Sequence, residues 1–575
     1  MAGPEQPLSF NLLEEGWIPV VYRDGSQGEL PLGDVFAQAP RIRTIEGDAR
    51  QQTFVLLRLL LAVLYRSHLD FTGTEADLRL FWKEAWGDGA FDLNTIDAYL
   101  DRFHDRFDLF DPEHPFFQTF GLRYVSKEYD SVGEMVADVP KPEKFLFSMR
   151  DQHHLDSLGF AEAARWLVFM QAFDPAGIKS PVAGNMHQKA GKVYAPQGAL
   201  GTGVAGALGG IFVEGDNLFQ TLMLNWVLYD SVRSKEHPLL GVERDLPPWE
   251  QDDCSCDMVI QAADEPYSPV GMYVAQSRRV RLVPDASAQV VRGVISCYGT
   301  VGSVLDKQHV EPMTAWRESP AQQKKLGLSH VPLMPLAHDP ARSLWRGLGS
   351  VIAARGATGE QDLRPGVIRW IGALEDADVF EGASPLVTLH AQGMVYGTQS
   401  SVFSEAIDDS FAIPAMVLRD ASRTRALAVQ VVEQAANAAD ALGRFMNNIR
   451  RAAGDRSDAS QYRAKTTRVK EEAFREMDGL CRECLRNLDK AEQDEGYFDA
   501  WRNGIRRIIW AIGHRSLSTM SVSYFEMHDK MSVGRALQLF EQSLDKELPG
   551  TSKRRQQKAT YRFGQTMAEK EDEES

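Results

Sequence analysis

Between Gly198 and Gly210 the chain reads GALGTGVAGALGG, six glycines in thirteen residues, and runs directly into IFVEGDNLFQTLMLNW. Glycine reaches positive φ and lets a backbone come close to something bulky, at an entropic cost inside a regular element. The run therefore reads as a loop that makes a close approach and then feeds a buried strand. What it approaches is either the protein itself, as a hinge or tight-packing turn, or a ligand. A phosphate loop is excluded, because no G-x-x-x-x-G-K-[ST] occurs. Gly201, Gly203 and Gly206 give G-x-G-x-x-G, but no acidic residue follows at the spacing of a dinucleotide-binding βαβ unit.

Upstream, FNLLEEGWIPVVY and DGSQGELPL read as two short strands about a glycine-containing turn. Phe54, Leu57, Leu61 and Leu64 recur at helical spacing, which predicts a helix from Asp48, placed as its cap, to Tyr65. Further helices are expected through Phe81, Trp82 and Trp86, through Tyr99, Phe103 and Phe107, and from Ala161 to Ala172. Downstream, from Val259 to about Gln399, the pieces PVGMYVAQ, RVRLVP, QVVRGVISCYG and GMVYGTQS read as strands punctuated by Pro and Gly. After Asp420 the pattern turns helical. Faces carrying Leu427 to Ile449, Val469 to Cys484, Phe498 to Ile512 and Leu537 to Leu544 predict four amphipathic helices, the third closed by Gly513. The expected class is α+β: a large mixed domain over 1–417, an all-α four-helix bundle over 418–550, and a disordered tail over 551–575.

At 575 residues with 43% hydrophobic composition, the chain fills sizeable cores. No stretch has the unbroken apolar length of a membrane span, and MAGPEQPLSF lacks a signal pattern, so the expected location is cytoplasmic. A net charge of −17 argues against a protein that grips nucleic acid over its whole surface. Any such contact is local. The basic run Arg444, Arg450, Arg451, Arg456, Arg463, Lys465, Arg468 and Lys470 reads as a solvated face or a limited DNA contact.

Metal sites find little support. Cys254 and Cys256 form C-x-C and Cys481 and Cys484 form C-x-x-C, but the pairs are far apart and the second lies within a helix. His153 and His154 have no partner at helical spacing, and the dipeptides His104-Asp105, His338-Asp339 and His528-Asp529 are scattered. A metal phosphohydrolase of the HD type needs ligands that converge. No cofactor, metal or catalytic residue is expected.

In order along the chain, NLLEEGWIPV, HPFFQ, the glycine loop leading into FVEGDNL, EPMTAWRESP and the terminal helices resemble one family. It is CasA, the large subunit of the type I-E CRISPR surveillance complex Cascade. The resemblance implies a non-catalytic subunit that assembles with the other Cascade subunits and the guide RNA. It also implies recognition of the protospacer-adjacent motif (PAM) in double-stranded DNA from the minor groove, help in opening the duplex, and recruitment of a helicase-nuclease after R-loop formation. Carried onto this chain, the PAM glycine loop is Gln197, Gly198, Ala199, Leu200 and Gly201, and the wedge that enters the duplex is Thr398, Gln399 and Ser400. The lysine finger is Lys307, and Phe147, Ser148, Met149 and Arg150 belong to a loop that docks into the complex. Arg450, Arg451 and Arg463 form the candidate basic patch of the bundle. The alternatives are the phosphohydrolase and a helical scaffold without DNA contact.

Overall fold

The computed structural model describes residues 8–71, 73–137, 156–230, 237–252, 255–353, 355–356, 361–382, 384–420, 422–454, 459–518 and 531–550. The docking-loop residues Phe147, Ser148, Met149 and Arg150, together with His153, His154, Cys254, Arg456, His528 and the tail 551–575, lie outside the described residues. The chain divides into two compact units. The first comprises 1–342, 354–383 and 387–410, and the second 343–353, 384–386 and 411–575.

The first unit opens with strand β1 (Ile18–Tyr22), which pairs antiparallel with β2 (Gln27–Leu30) and with β3 (Ile42–Ile45). Gly25 at φ +84 makes the turn. Helix α1 (Arg50–Ser67) follows, and it is buried all round from Gln51 to Arg66. Its N-cap is Ala49, with no side-chain cap. Asp48, expected as the cap, instead accepts two hydrogen bonds from Arg165 on helix α2 (Phe160–Phe173). A guanidinium holds the carboxylate at both oxygens, which outcompetes one cap bond.

A helix buried on every face must match its buried charges, and Arg66 at its end pairs with Glu250. Arg58 is 1% exposed and forks onto Glu311, at 3.0 and 2.8 Å, between the rings of Phe54 and Tyr273. Glu311 opens the EPMTAW segment, so that motif supplies the charge that neutralises Arg58 of α1.

Strand β4 (Gly210–Glu214) emerges from the glycine run, and the sharp return to helix α3 (Leu218–Asn225) is capped by Asn217 accepting from the Gln220 N–H. Strands β5 (Arg278–Asp285) and β6 (Val290–Tyr298) form an antiparallel ribbon, with the short pieces Asp130–Ser131 and Leu158–Gly159 along β6. PVGMYVAQ, expected as a strand, is in its first five residues the short helix Pro269–Tyr273 under a Ser268 cap. A proline at the first helical position and a serine before it are start signals that outweighed the apolar run. Helix α4 (Pro320–Leu326) and the helix Gly366–Asp376 also interrupt the region read as strands. Strand β7 (Leu386–Tyr396) pairs antiparallel with β4, Gly210 opposite Gln392 through Glu214 opposite Thr388, and turns into β8 (Phe403–Pro414).

The second unit is helical: α5 (Arg423–Ala452), α6 (Ala459–Arg486), α7 (Glu495–Ser518) and α8 (Val533–Glu547). α5 packs against α6, α7 and α8, and α6 against α7. Cys481 and Cys484 are buried in this core. Gly513, expected to close the third helix, lies inside α7. A Cβ there would stand 3.0 Å from Phe540 and 3.3 Å from Phe445. It is a packing glycine and not a stop. Among the described residues no helix is long and apolar enough to cross a membrane.

Candidate nucleic-acid interface

Most of the glycine run approaches the protein itself. A Cβ on Gly203 would lie 2.4 Å from the Ala172 carbonyl, one on Gly206 2.2 Å from the Tyr396 hydroxyl, and one on Gly209 2.2 Å from the Leu336 carbonyl. On Gly210 it would meet the Gln392 carbonyl at 2.5 Å. These residues seat the loop under β7 and against the end of α2. Between Gly203 and Gly209 the chain makes the one-turn 3-10 helix Val204–Ala207.

The outer arc is different. Gln197 and Gly198 are exposed, while Ala199, Leu200 and Gly201 are half-buried. Gly198 has φ +88, and a Cβ there would touch only Leu326, at 3.7 Å. Among the described residues no hydrogen bond engages the N–H of Gln197 or of Gly198. The arc is anchored at its inner end, where the Leu200 N–H donates to the Gly302 carbonyl at 2.8 Å and the Ala199 side chain packs on the cluster of Tyr124, Val193 and Tyr298.

Beneath it lies a buried charge cluster. Arg278, wholly buried, pairs with Asp174, which also pairs with Lys179. The same guanidinium donates to the carbonyls of Gly201 (2.8 Å), Asp174 (3.1 Å) and Pro175 (3.2 Å), and lies 4.9 Å from the Tyr298 ring centre. Burial pushes the Asp174 carboxyl up, but the two cations outweigh it and hold its pKa below the usual carboxylate value.

Lys307 does not serve as a displayed finger. It is 2% exposed and its ammonium donates to the Ala263 carbonyl at 2.6 Å. A lysine stem this short of surface finds a carbonyl before it finds water. Lys324 and Lys325 are exposed cations in the last turn of α4, whose next residue, Leu326, faces Gly198. Neither forms an ion pair among the described residues. The sequence carried a signal for them, since KKLG is a lysine pair before a C-cap glycine.

Thr398, Gln399 and Ser400 occupy the tip between β7 and β8, with Thr398 and Gln399 exposed. Gln399 and Ser400 both have positive φ, +57 and +53. That backbone is costly for a side chain bearing a Cβ and persists only where its surroundings impose it. The Ser400 N–H donates to the Gly397 carbonyl and the Gly397 N–H to Val402, which closes the turn. At the base of the tip, Tyr396 donates to the Phe173 carbonyl at 2.6 Å, with its hydroxyl over Gly206. One tyrosine thus ties the expected wedge to the inner part of the glycine run at Gly206, downstream of the expected loop Gln197–Gly201. Both belong to the first unit.

Other sequence candidates separate. His104 bonds Glu14 and Asp105, and His338, half-buried, bonds the Gly210 carbonyl. Among the described residues no three metal-capable side chains gather. In the second unit Arg451 and Arg463 are exposed and Arg450 is half-buried.

With this geometry in place, comparison with known proteins is specific. Residues 11–512 match the family model described as CRISPR-associated protein Cse1. A curated relative, CRISPR-associated protein CasA/Cse1 of Thermus thermophilus, is 29% identical over 390 residues, spanning 67% of this chain and 68% of that one. The crystal structure of Thermobifida fusca Cse1 superposes with a TM-score of 0.80 at 35% identity, over 95% of this chain and 99% of that one. Cse1 from Acidimicrobium ferrooxidans gives 0.78 at 27% identity, over 96% of this chain and 100% of the other.

Proposed function

The chain belongs to the CRISPR-associated Cse1 (CasA) family, and from that premise we propose that it is the non-catalytic subunit through which a Cascade complex reads the PAM in duplex DNA. A CRISPR surveillance complex is the setting that family membership gives. The observation that carries the finer reading is the exposed arc Gln197–Gly198, with its unengaged N–H groups, which faces Leu326 at the end of the helix that carries Lys324 and Lys325. Minor-groove edges offer acceptors in a degenerate pattern, so backbone donors there read several related motifs and not one strict sequence. Lys324 and Lys325 supply the phosphate contacts. Gln399 is the wedge, and prising apart the first pairs costs about a few kcal/mol per unstacked step. Guide pairing then carries sequence specificity, and the opened complex recruits the helicase-nuclease.

The test is filter binding of a PAM-bearing duplex to the assembled complex with and without this chain, and with variants. Lys324→Gln with Lys325→Gln should lower the log-log salt slope by about 1.8, at about 0.9 per phosphate contact. Gly198→Asp should weaken binding more than Gly198→Asn, since both strain the φ +88 backbone but only aspartate repels phosphate. Unchanged duplex affinity in the complex that lacks the chain would sink the proposal outright.

A further inference from the structure

A helix leaves its last carbonyls without intrahelical partners, and at the end of α2 residues remote in sequence take them. The Tyr396 hydroxyl donates to the Phe173 carbonyl, and Arg278 donates to those of Asp174 and Pro175. The Tyr298 hydroxyl donates to the Gly177 carbonyl at 2.7 Å and accepts from the Gly177 N–H at 3.2 Å. Residues 173–177 thus adjoin both recognition elements. On the side of the arc, the Gly203 N–H donates to the Asp174 carbonyl at 3.0 Å, and a Cβ on Gly201 would stand 2.8 Å from the Cβ of Ala176. On the side of the tip, Tyr396 holds Phe173, and a Cβ on Gly177 would lie 4.0 Å from the Cβ of Ser401, the residue after Ser400.

A cross-strand pair fixes this floor. Arg278 on β5 and Tyr298 on β6 are direct partners in the ribbon, with the guanidinium 4.9 Å from the ring centre. Tyr298 is 1% exposed, so it acts through its neighbours and not by touching DNA. We propose that Tyr298 is a positioning residue for strand opening: through Gly177 it holds residues 173–177 as a common floor, and so sets the distance between the arc that reads the motif and the glutamine that enters the duplex beside it. Successive base pairs are about 3.4 Å apart, so a wedge displaced by that much meets the wrong step. The inference rests on the proposed function for the roles of the arc and the tip.

Opening rates read from 2-aminopurine beside the PAM, over a series of concentrations of the assembled complex, test it. Tyr298→Phe keeps the ring on Arg278 and loses both bonds to Gly177. The rate at saturation should fall about tenfold, the worth of one to two net hydrogen bonds. The half-saturating concentration should not change, because the arc still binds. Gly177→Ala, which strains the φ +153 backbone from the other side, should show the same split. Tyr124→Phe is the control for a purely structural loss. Its hydroxyl also bonds the N–H and the carbonyl of one residue, Ser296, and makes no hydrogen bond to residues 173–177 among the described residues. A lower folded fraction raises the half-saturating concentration and leaves the saturating rate alone. On a target mismatched beside the PAM no pairs remain to break, and Tyr298→Phe should match wild type. A saturating rate in Tyr298→Phe no lower than in Tyr124→Phe, a loss confined to the half-saturating concentration, or an equal loss on the mismatched target overturns the inference. Gln399→Gly in the same assay keeps the two readings apart. If it loses opening and Tyr298→Phe does not, the positioning role falls and the wedge stands; if it opens the paired target fully, the wedge itself is removed.

Discussion

Replacing Arg278 by alanine is expected to destabilise the first unit by about 3–5 kcal/mol, the range for breaking a buried ion pair from one side. The deletion does more than remove a charge. One guanidinium nitrogen holds the carbonyls of Gly201, Asp174 and Pro175, so alanine leaves three backbone acceptors without that donor. Asp174 keeps Lys179, which limits the damage. Arg278→Lys should fall between, because a point charge keeps Asp174 paired while losing the fork that reaches three carbonyls. Urea unfolding gives the stability, and hydrogen exchange gives the location: the hydrogen-bonded amides of Ala199 and Leu200 should exchange faster in both variants than in wild type. A stability loss under about 1 kcal/mol in Arg278→Ala, or unchanged exchange in the arc, would show that the cluster does not hold the loop.

That the sequence spoke of the fold more clearly than of the site has a physical cause visible in the same residues. The segments that carry the family resemblance are largely occupied with burial. In HPFFQ, Phe116 and Phe117 are core, and the Gln118 amide bridges the Leu109 carbonyl and the Leu282 N–H. In NLLEEGWIPV, the Trp17 indole donates to the Leu12 carbonyl. In EPMTAW, Glu311 answers Arg58. Such residues are fixed by partners far away in sequence, and they mark a fold without marking where it works. The glycine run gave the kind of event, close backbone approach, but spacing alone does not say which glycines face inward. Gly203, Gly206, Gly209 and Gly210 meet the protein, and only the first two residues of Gln197–Gly201 are turned outward. Lys307 illustrates the limit from the other side, since a lysine beside a recognised motif carries no sequence mark of being buried on a carbonyl. Gln399 was legible because G-T-Q-S after a β-rich run puts a glutamine at a turn; its positive φ was not, because glutamine does not favour that conformation.

That turn is the place where stability and function separate most sharply. Gly206→Ala places a methyl 2.2 Å from the Tyr396 hydroxyl and 2.9 Å from its ring carbon, so the tyrosine must move and release the Phe173 carbonyl. Overpacking of this kind costs about 1–3 kcal/mol. Tyr396→Phe removes the nearest atom, so the double variant should cost less than the sum of the two singles, by at least about 0.5 kcal/mol of coupling. Gly203→Ala has no such relief, since its methyl would strike the Ala172 backbone. Because Tyr396 is the root of the hairpin, Gly206→Ala should also displace Gln399 and reduce strand opening by the complex on a paired target. Gln399→Gly separates that loss from instability. Glycine adopts φ +57 without strain, so this variant should be at least as stable as wild type and still fail to open the duplex. A target already mismatched beside the PAM has no pairs to break, and on it both variants should regain opening. Permanganate footprinting of the opened strand on paired and mismatched targets reads the result. Full opening of the paired target by Gln399→Gly would remove Gln399 as the wedge, whatever the stability of Gly206→Ala.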